Sequence, residues 1–220
     1  MNSEKTAPKL TIDVWADVIC PWCYIGEHRL EKAVSQFAHA DEVELKIHTF
    51  QLDPTLTTDV QNTVEYLASK YNVPVEQARA MEEGAAQQAQ ADGLKYELDR
   101  PLSSTVDMLR LVHLGNEHGV GWRYMRAMQT ELFGGNQDAF EHSTLIRLGE
   151  ELGIPGDEIR AVLESDRFAD EVRQDHQAAI QLGARGVPFT VIAKRVAIPG
   201  ATSTEQFLQI IEHVWEQVNG

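Results

Sequence analysis

Three scarcities in the chain each remove a class of protein. There are only two cysteines among 220 residues, so no four-thiolate zinc site can form. The eight histidines contain no H-x3-H pair to complete a mixed site with those thiols, and no metal is expected. No run of about 18 apolar residues occurs, which excludes a membrane-spanning helix. Basic side chains are also few. Lys and Arg number 19 against 34 Asp and Glu, a net charge of −15, and the cationic face that nucleic acid requires is missing. The acidity is read as a solubility device. Met1 to Lys9 is polar without an apolar core, so it does not read as a secretory signal. The expected compartment is therefore a reducing cytoplasm, where neighbouring cysteines point to catalysis more than to structural cross-linking.

Both cysteines fall in one tetrapeptide, Cys20-Pro21-Trp22-Cys23. Upstream, Leu10, Ile12 and Val14 alternate with Thr11, Asp13 and Trp15, the period of a half-buried strand. Downstream, Ile25, Leu30, Ala33, Val34 and Phe37 recur at near-helical spacing. The motif thus sits where a strand hands over to a helix. Cys20 would stand at the helix N-terminus with Pro21 just inside it, where a missing N–H costs nothing. Free backbone N–H groups and the positive end of the helix dipole then face the Cys20 sulfur and favour its thiolate. Cys23, one turn along, can reach Cys20 to close a disulfide. A two-residue loop restricts the unfolded chain too little for a structural role, which leaves redox chemistry.

A second stretch, Gly186-Val187-Pro188-Phe189-Thr190-Val191-Ile192, places a proline at the first residue of a strongly β-forming run. Asp17-Val18-Ile19-Cys20-Pro21-Trp22-Cys23-Tyr24-Ile25-Gly26, that stretch, and Ala197-Ile198-Pro199-Gly200-Ala201 together resemble the DsbA-type thioredoxin superfamily. Within it the chain is most similar to the FrnE-like cytoplasmic branch, over nearly its whole length. The resemblance implies an α/β thioredoxin-like fold, a central mixed sheet flanked by helices, with a large all-helical insertion. It makes Pro188 the cis-proline facing the dithiol and places Phe50 and Leu52 near the substrate groove. It also leaves the Val187 backbone free to pair with an extended substrate. Export-pathway relatives carry a histidine in the dipeptide between the cysteines; Trp22 here implies a less oxidising centre.

Taken in order, strands are expected over Lys9 to Trp15 and Val43 to His48, with a helix from Pro21 to Phe37 between them. The strand–helix–strand unit implies a parallel pair. From Val60 the period turns helical. Stripes at Val64, Leu67, Ala68 and Tyr71, at Thr105, Met108, Leu109 and Val112, and at Trp122, Met125, Met128, Leu132 and Phe133 read as core-facing helices. Leu145, Leu148 and Leu152 make a short helix stopped by Gly153 and Pro155, and Phe168, Val172, Ala179 and Leu182 mark the last one. No strand signal interrupts this block. A hairpin follows, Phe189 to Ile192 and Arg195 to Ile198, around Ala193-Lys194, which lacks the Asn-Gly or Asp-Gly that tight hairpins prefer. Thr202-Ser203-Thr204-Glu205 is a capping box for a closing helix. Residues 1–58 and 181–220 are assigned to the thioredoxin-like domain, and residues 59–180 to the inserted helical domain.

These features read as a thiol–disulfide oxidoreductase or isomerase. Cys20 is the exposed attacking thiolate, Cys23 the resolving thiol, and Pro21, Trp22 and Pro188 support them. Its partners are thiol and disulfide substrates, proteins or small molecules, with no cofactor beyond the redox-active cysteines and exchange with glutathione open. Two other readings stand beside it. One is a glutathione-dependent enzyme of the kappa-transferase and chromene-carboxylate-isomerase kind, against which Cys23 argues. The other is a non-catalytic accessory binding protein, which an intact Cys20, Cys23 and Pro188 disfavour. His28 is expected to face solvent, and His48, alternating outward on its strand, is given no role.

Overall fold

The computed structural model describes residues 10–219. Strand β1 (Leu10–Ala16) leads through the Cys20 turn into α1 (Pro21–Gln36), and β2 (Val43–Thr49) follows. The expected start of β1 at Lys9 lies outside the described residues. β1 and β2 pair in parallel, Leu10 opposite Val43 through Ala16 opposite Thr49, as the strand–helix–strand pattern predicts. Then come β3 (Gln61–Asn62), α2 (Thr63–Tyr71), α3 (Val75–Ala91) and β4 (Pro101–Leu102). The helical series continues with α4 (Val106–Glu117), α5 (Gly121–Phe133), α6 (His142–Glu151), α7 (Gly156–Leu163) and α8 (Ala169–Gln181). The chain returns to the sheet as β5 (Phe189–Ile192) and β6 (Val196–Pro199) and closes with α9 (Thr204–Asn219).

The main sheet has the order β2-β1-β5-β6, with β5 antiparallel to both its neighbours. This is the mixed thioredoxin-like sheet with a helical insertion between β2 and β5. Alternation on β1 buries Leu10, Ile12 and Val14 in one core with Leu30, Ala33 and Phe37 from α1 and its C-terminal edge. Phe207, Ile211 and Val214 of α9 join the same core. Each of the larger side chains contributes roughly 1.5–3 kcal/mol by leaving water, which fixes α1, and hence Cys20, against the sheet. The opposite register of β1 puts Trp15 with Phe50, Ala179, Phe189 and Val191 in a second cluster, against which Val187 packs.

Several details depart from the pattern reading. The inserted block is not purely helical: Gln61 and Asn62 pair with Leu102 and Pro101 in a two-residue ladder. Such short bridging carries no alternation to detect. Pro155 caps the start of α7 rather than merely ending α6, adding a helix the leucine stripe did not mark. Tyr71 and Leu182, expected in apolar stripes, are exposed. The closing capping box is shifted by one residue. Ser203 Oγ accepts from Gln206 N at 3.2 Å, and Gln206 Oε1 accepts from Ser203 N at 3.5 Å. In the hairpin turn Ala193 and Lys194 both take left-handed φ values, 52° and 56°, so strand pairing imposes the turn geometry without its usual residues.

Candidate active site

Cys20 occupies the N-cap of α1 with extended φ and ψ, and Pro21 is the first helical residue. Its Sγ takes the capping position, accepting the Cys23 N–H at 3.4 Å, and no acidic residue stands in the first turn. On its other side the Cys20 thiol meets the Val187 carbonyl at 3.5 Å. The cysteines are unbridged. Cys20 was expected to be exposed; it is only 3% accessible, because Val187 covers it and Pro21 and Trp22 flank it. Trp22 is instead the open residue, at 44%. Cys23 is fully buried beneath.

The Val187–Pro188 peptide is cis. A Cβ built on Gly26 would stand 3.1 Å from the Pro188 ring and 3.3 Å from the Ala201 backbone. Glycine at this position is therefore what lets α1 approach the Pro188 loop closely enough to bring Val187 over Cys20.

A groove of about 320 Å3 opens beside the thiol. Its near wall is Cys20, Pro21, Trp22, Gly186 and Val187, and its far wall is the insertion, including Tyr66, Lys70, Tyr71 and Met81. Leu52 is among the residues that line it. Phe50 is not: it is buried, stacked on His176 with ring centroids 4.1 Å apart. Trp22, Leu52, Tyr71 and Met81 are all exposed apolar groups, so the rim of this groove is hydrophobic. Two ion pairs are set into its wall, each closing its own charge. Asp53 accepts from Lys70, Tyr66 and Thr55, which ties the loop after β2 to α2. Burial opposes its charge, yet the bonds from Lys70, Thr55 and Tyr66 hold it well below the usual carboxylate range. Arg100 pairs with Glu82 at 2.7 Å and lies over the Tyr96 and Phe133 rings.

Two buried carboxyls flank the dithiol, Asp17, which opens the cysteine motif, and Glu27, neither with a role assigned from sequence. Glu27 sits one turn after Cys23 on the same face of α1. Burial pushes its pKa up to about 7, with Arg126 and Gln129 only partly offsetting it, and its Oε2 has no hydrogen-bond partner. Asp17, three residues before Cys20, is raised to about 6 by burial, although Leu52 N–H (2.7 Å) and Thr105 Oγ1 (3.3 Å) donate to its Oδ2. The Cys23 thiol is pushed well up, first by burial, then by the hydrogen bond and charge of Cys20 and by the charge of Glu27. The i, i+4 spacing of Cys23 and Glu27 was a readable signal.

On the far face of the sheet His48, expected to point idly outward, is clamped between two carboxylates. Its Nε2 is 2.9 Å from Asp13 and its Nδ1 3.2 Å from Asp175 of α8, and it stacks on Trp15. Burial alone would lower its pKa, but the two carboxylates win and lift it to about 9. Asp175 also takes the Thr49 N–H at 2.8 Å and His113 at 3.3 Å. The clamp thus anchors α8, the helix that runs into the Gly186–Val187 loop.

A paired-cysteine centre on a helix N-terminus, facing the loop at Pro188 on a mixed four-stranded sheet, defines a thioredoxin-fold dithiol protein. The chain belongs to the DSBA-like thioredoxin domain family, which matches residues 11–212. A probable DsbA oxidoreductase of Streptomyces coelicolor is 38% identical, with a TM-score of 0.83, covering 94% of this chain and 91% of that one. A 2-hydroxychromene-2-carboxylate isomerase shares the fold at 13% identity and a TM-score of 0.68, over 94% and 95% of the two chains. The cytosolic disulfide reductase DsbM of Pseudomonas aeruginosa, solved with GSH, shares it at 17% identity and a TM-score of 0.58, over 94% and 96%. No helix among the described residues is long and apolar enough to cross a membrane.

Proposed function

We propose that the chain is a cytoplasmic dithiol–disulfide oxidoreductase in which Cys20 attacks and Cys23 resolves. The observation that carries this reading is the arrangement of the pair: Cys20 lines the groove under Val187, and Cys23 is buried one turn behind it. The Cys20 thiolate attacks a disulfide lying in the groove, forming a mixed disulfide and releasing one substrate thiolate. Cys23 then gives its proton to Glu27 and attacks the Cys20 sulfur. The cysteine pair closes as a disulfide, and the second substrate thiolate leaves with the bonding electrons. Two electrons have moved from the dithiol to the substrate, with no cofactor beyond the cysteines, and the same steps run backwards oxidise a dithiol.

Pro188 and Trp22 support this chemistry. Proline offers no N–H beside Cys20, and once Cys20 is a thiolate it no longer donates to the Val187 carbonyl, which leaves that backbone for an extended substrate strand. The groove volume is at the small end of ligand sites, and its apolar rim suits disulfides flanked by apolar groups, in peptides or small molecules including glutathione disulfide. The glutathione-dependent transferase or isomerase reading draws on the same groove, but leaves Cys23 and the raised Glu27 without a task. Turnover of peptide and glutathione disulfides by the wild type and by Cys20→Ala and Cys23→Ala tests the proposal. Both variants are expected to fall to the uncatalysed rate. Full turnover by Cys23→Ala with glutathione present would instead select the glutathione-dependent reading.

A further inference from the structure

The buried side of the dithiol is connected to the helical insertion through two side chains of α5. Gln129 is fully buried, and its Nε2 donates to Glu27 Oε1 at 3.0 Å. Its own Oε1 accepts Arg126 Nη1 at 2.7 Å, and the same nitrogen donates to the Tyr24 carbonyl at 2.9 Å. Arg126 is further held by Glu31, Nε to Oε2 at 3.5 Å, while its Nη1 stands 4.0 Å from Glu27 Oε2. One Glu27 oxygen is therefore fixed by an amide, and the other is buried without a hydrogen-bond partner. A buried polar atom left unpaired is unfavourable, so its retention calls for a use. Cys23 lies one turn away on the same helix face.

We propose that Gln129 and Arg126 are positioning residues for the resolving step, holding Glu27 by one oxygen so that the other receives the Cys23 proton. The inference rests on the reading of Cys23 as resolving thiol and Glu27 as its base. In the step the Cys23 S–H bond breaks and a Glu27 O–H bond forms. The Cys20–Cys23 bond replaces the bond between Cys20 and the substrate sulfur, and the substrate leaves as a thiolate, the disulfide itself being the oxidant. The charged groups acting on Glu27 are Arg126 across on α5 and Glu31 along α1. The Arg126 charge and the Gln129 amide both favour its ionised form, which is the form that can accept a proton. The insertion, on this view, tunes the chemistry of the sheet domain as well as walling the groove.

The test is a rapid-mixing experiment in which the reduced protein meets an aromatic disulfide whose thiolate is coloured. The first release reports Cys20 attack and the second reports resolution by Cys23. Wild type, Gln129→Leu, Arg126→Met, Arg126→Lys and Glu27→Gln are compared across pH 5 to 9. In Gln129→Leu the first release should keep its wild-type rate, and the pH midpoint of the second should rise by about one unit, slowing it about fivefold at pH 7. Arg126→Met should shift it in the same direction and Arg126→Lys should restore most of the rate. A Gln129→Leu protein with both phases on the wild-type pH curve would overturn the inference; if that variant does not fold, Arg126→Met decides in the same way. Glu27→Gln separates the two layers. Loss of the pH-dependent limb there, without a shift in the α5 variants, refutes only the positioning role, whereas an unchanged limb refutes the base assignment beneath it.

Discussion

Replacing Glu27 with glutamine should make the reduced protein more stable and a worse catalyst. The carboxyl is buried and its pKa lies at about 7 rather than 4.5. For an acid raised on folding, the folded state binds the proton more tightly, so stability is lost as pH climbs from the unfolded value to the folded one. The rise from 4.5 to about 7, at about 1.36 kcal/mol per pH unit, makes ionised Glu27 a cost of about 3 kcal/mol at pH 8 and under about 1 kcal/mol at pH 5. Glutamine keeps the shape and can still accept the Gln129 amide proton, so Glu27→Gln should recover most of that difference. Urea unfolding of reduced wild type and variant, followed at pH 5, 6.5 and 8, reads it directly. The variant's advantage should grow with pH. An equal loss of stability at all three values would mean that Glu27 is held as a structural ion pair with Arg126, and the reasoning would be wrong.

His48 should show the opposite sign. Raised to about 9 by Asp13 and Asp175, it contributes about 3 kcal/mol that is fully present below pH 6.5 and fades as pH passes 9, so His48→Gln should cost most in mild acid and least at pH 10. Denaturant midpoints across that range check it. Gly26→Ala should force the Pro188 ring and the Ala201 backbone outward, lowering stability by about 1–3 kcal/mol and slowing disulfide turnover by moving Val187 from Cys20. Unaltered turnover in a folded variant would contradict that coupling. Pro188→Thr introduces an N–H beside the thiol and should lengthen the life of mixed disulfides, seen by mass spectrometry, while the helical insertion stays folded.

Much of this was legible because the relevant signals are local. The alternation of Leu10, Ile12 and Val14 gives the central strand, and Cys20-Pro21 at its end gives the helix N-cap, so the thiol pair and its geometry follow from a dozen consecutive residues. Core stripes such as Met125, Met128 and Leu132 are buried as their spacing requires. The remainder depends on partners distant in sequence. Gln129 meets Glu27 across 102 residues, and Asp175 meets His48 across 127, so the i, i+4 spacing marks Glu27 beside Cys23 while its amide partner and the His48 clamp leave no local pattern. His48 does alternate outward on β2, but α8 covers that face. Phe50 carries the apolar character of a groove residue and spends it against His176 and the second core cluster.

The division of labour between the two cysteines is the centre of the account, and trapping the mixed disulfide tests it most directly. Reduced Cys23→Ala and Cys20→Ala proteins are each mixed with a small disulfide, and the intact mass is followed with time. The expected result is a persistent adduct on Cys20 in Cys23→Ala and none in Cys20→Ala, whose remaining thiol is fully buried, outside the groove lining, and still pushed up by that burial. Adducts forming equally fast in both, or faster on Cys23, would contradict it.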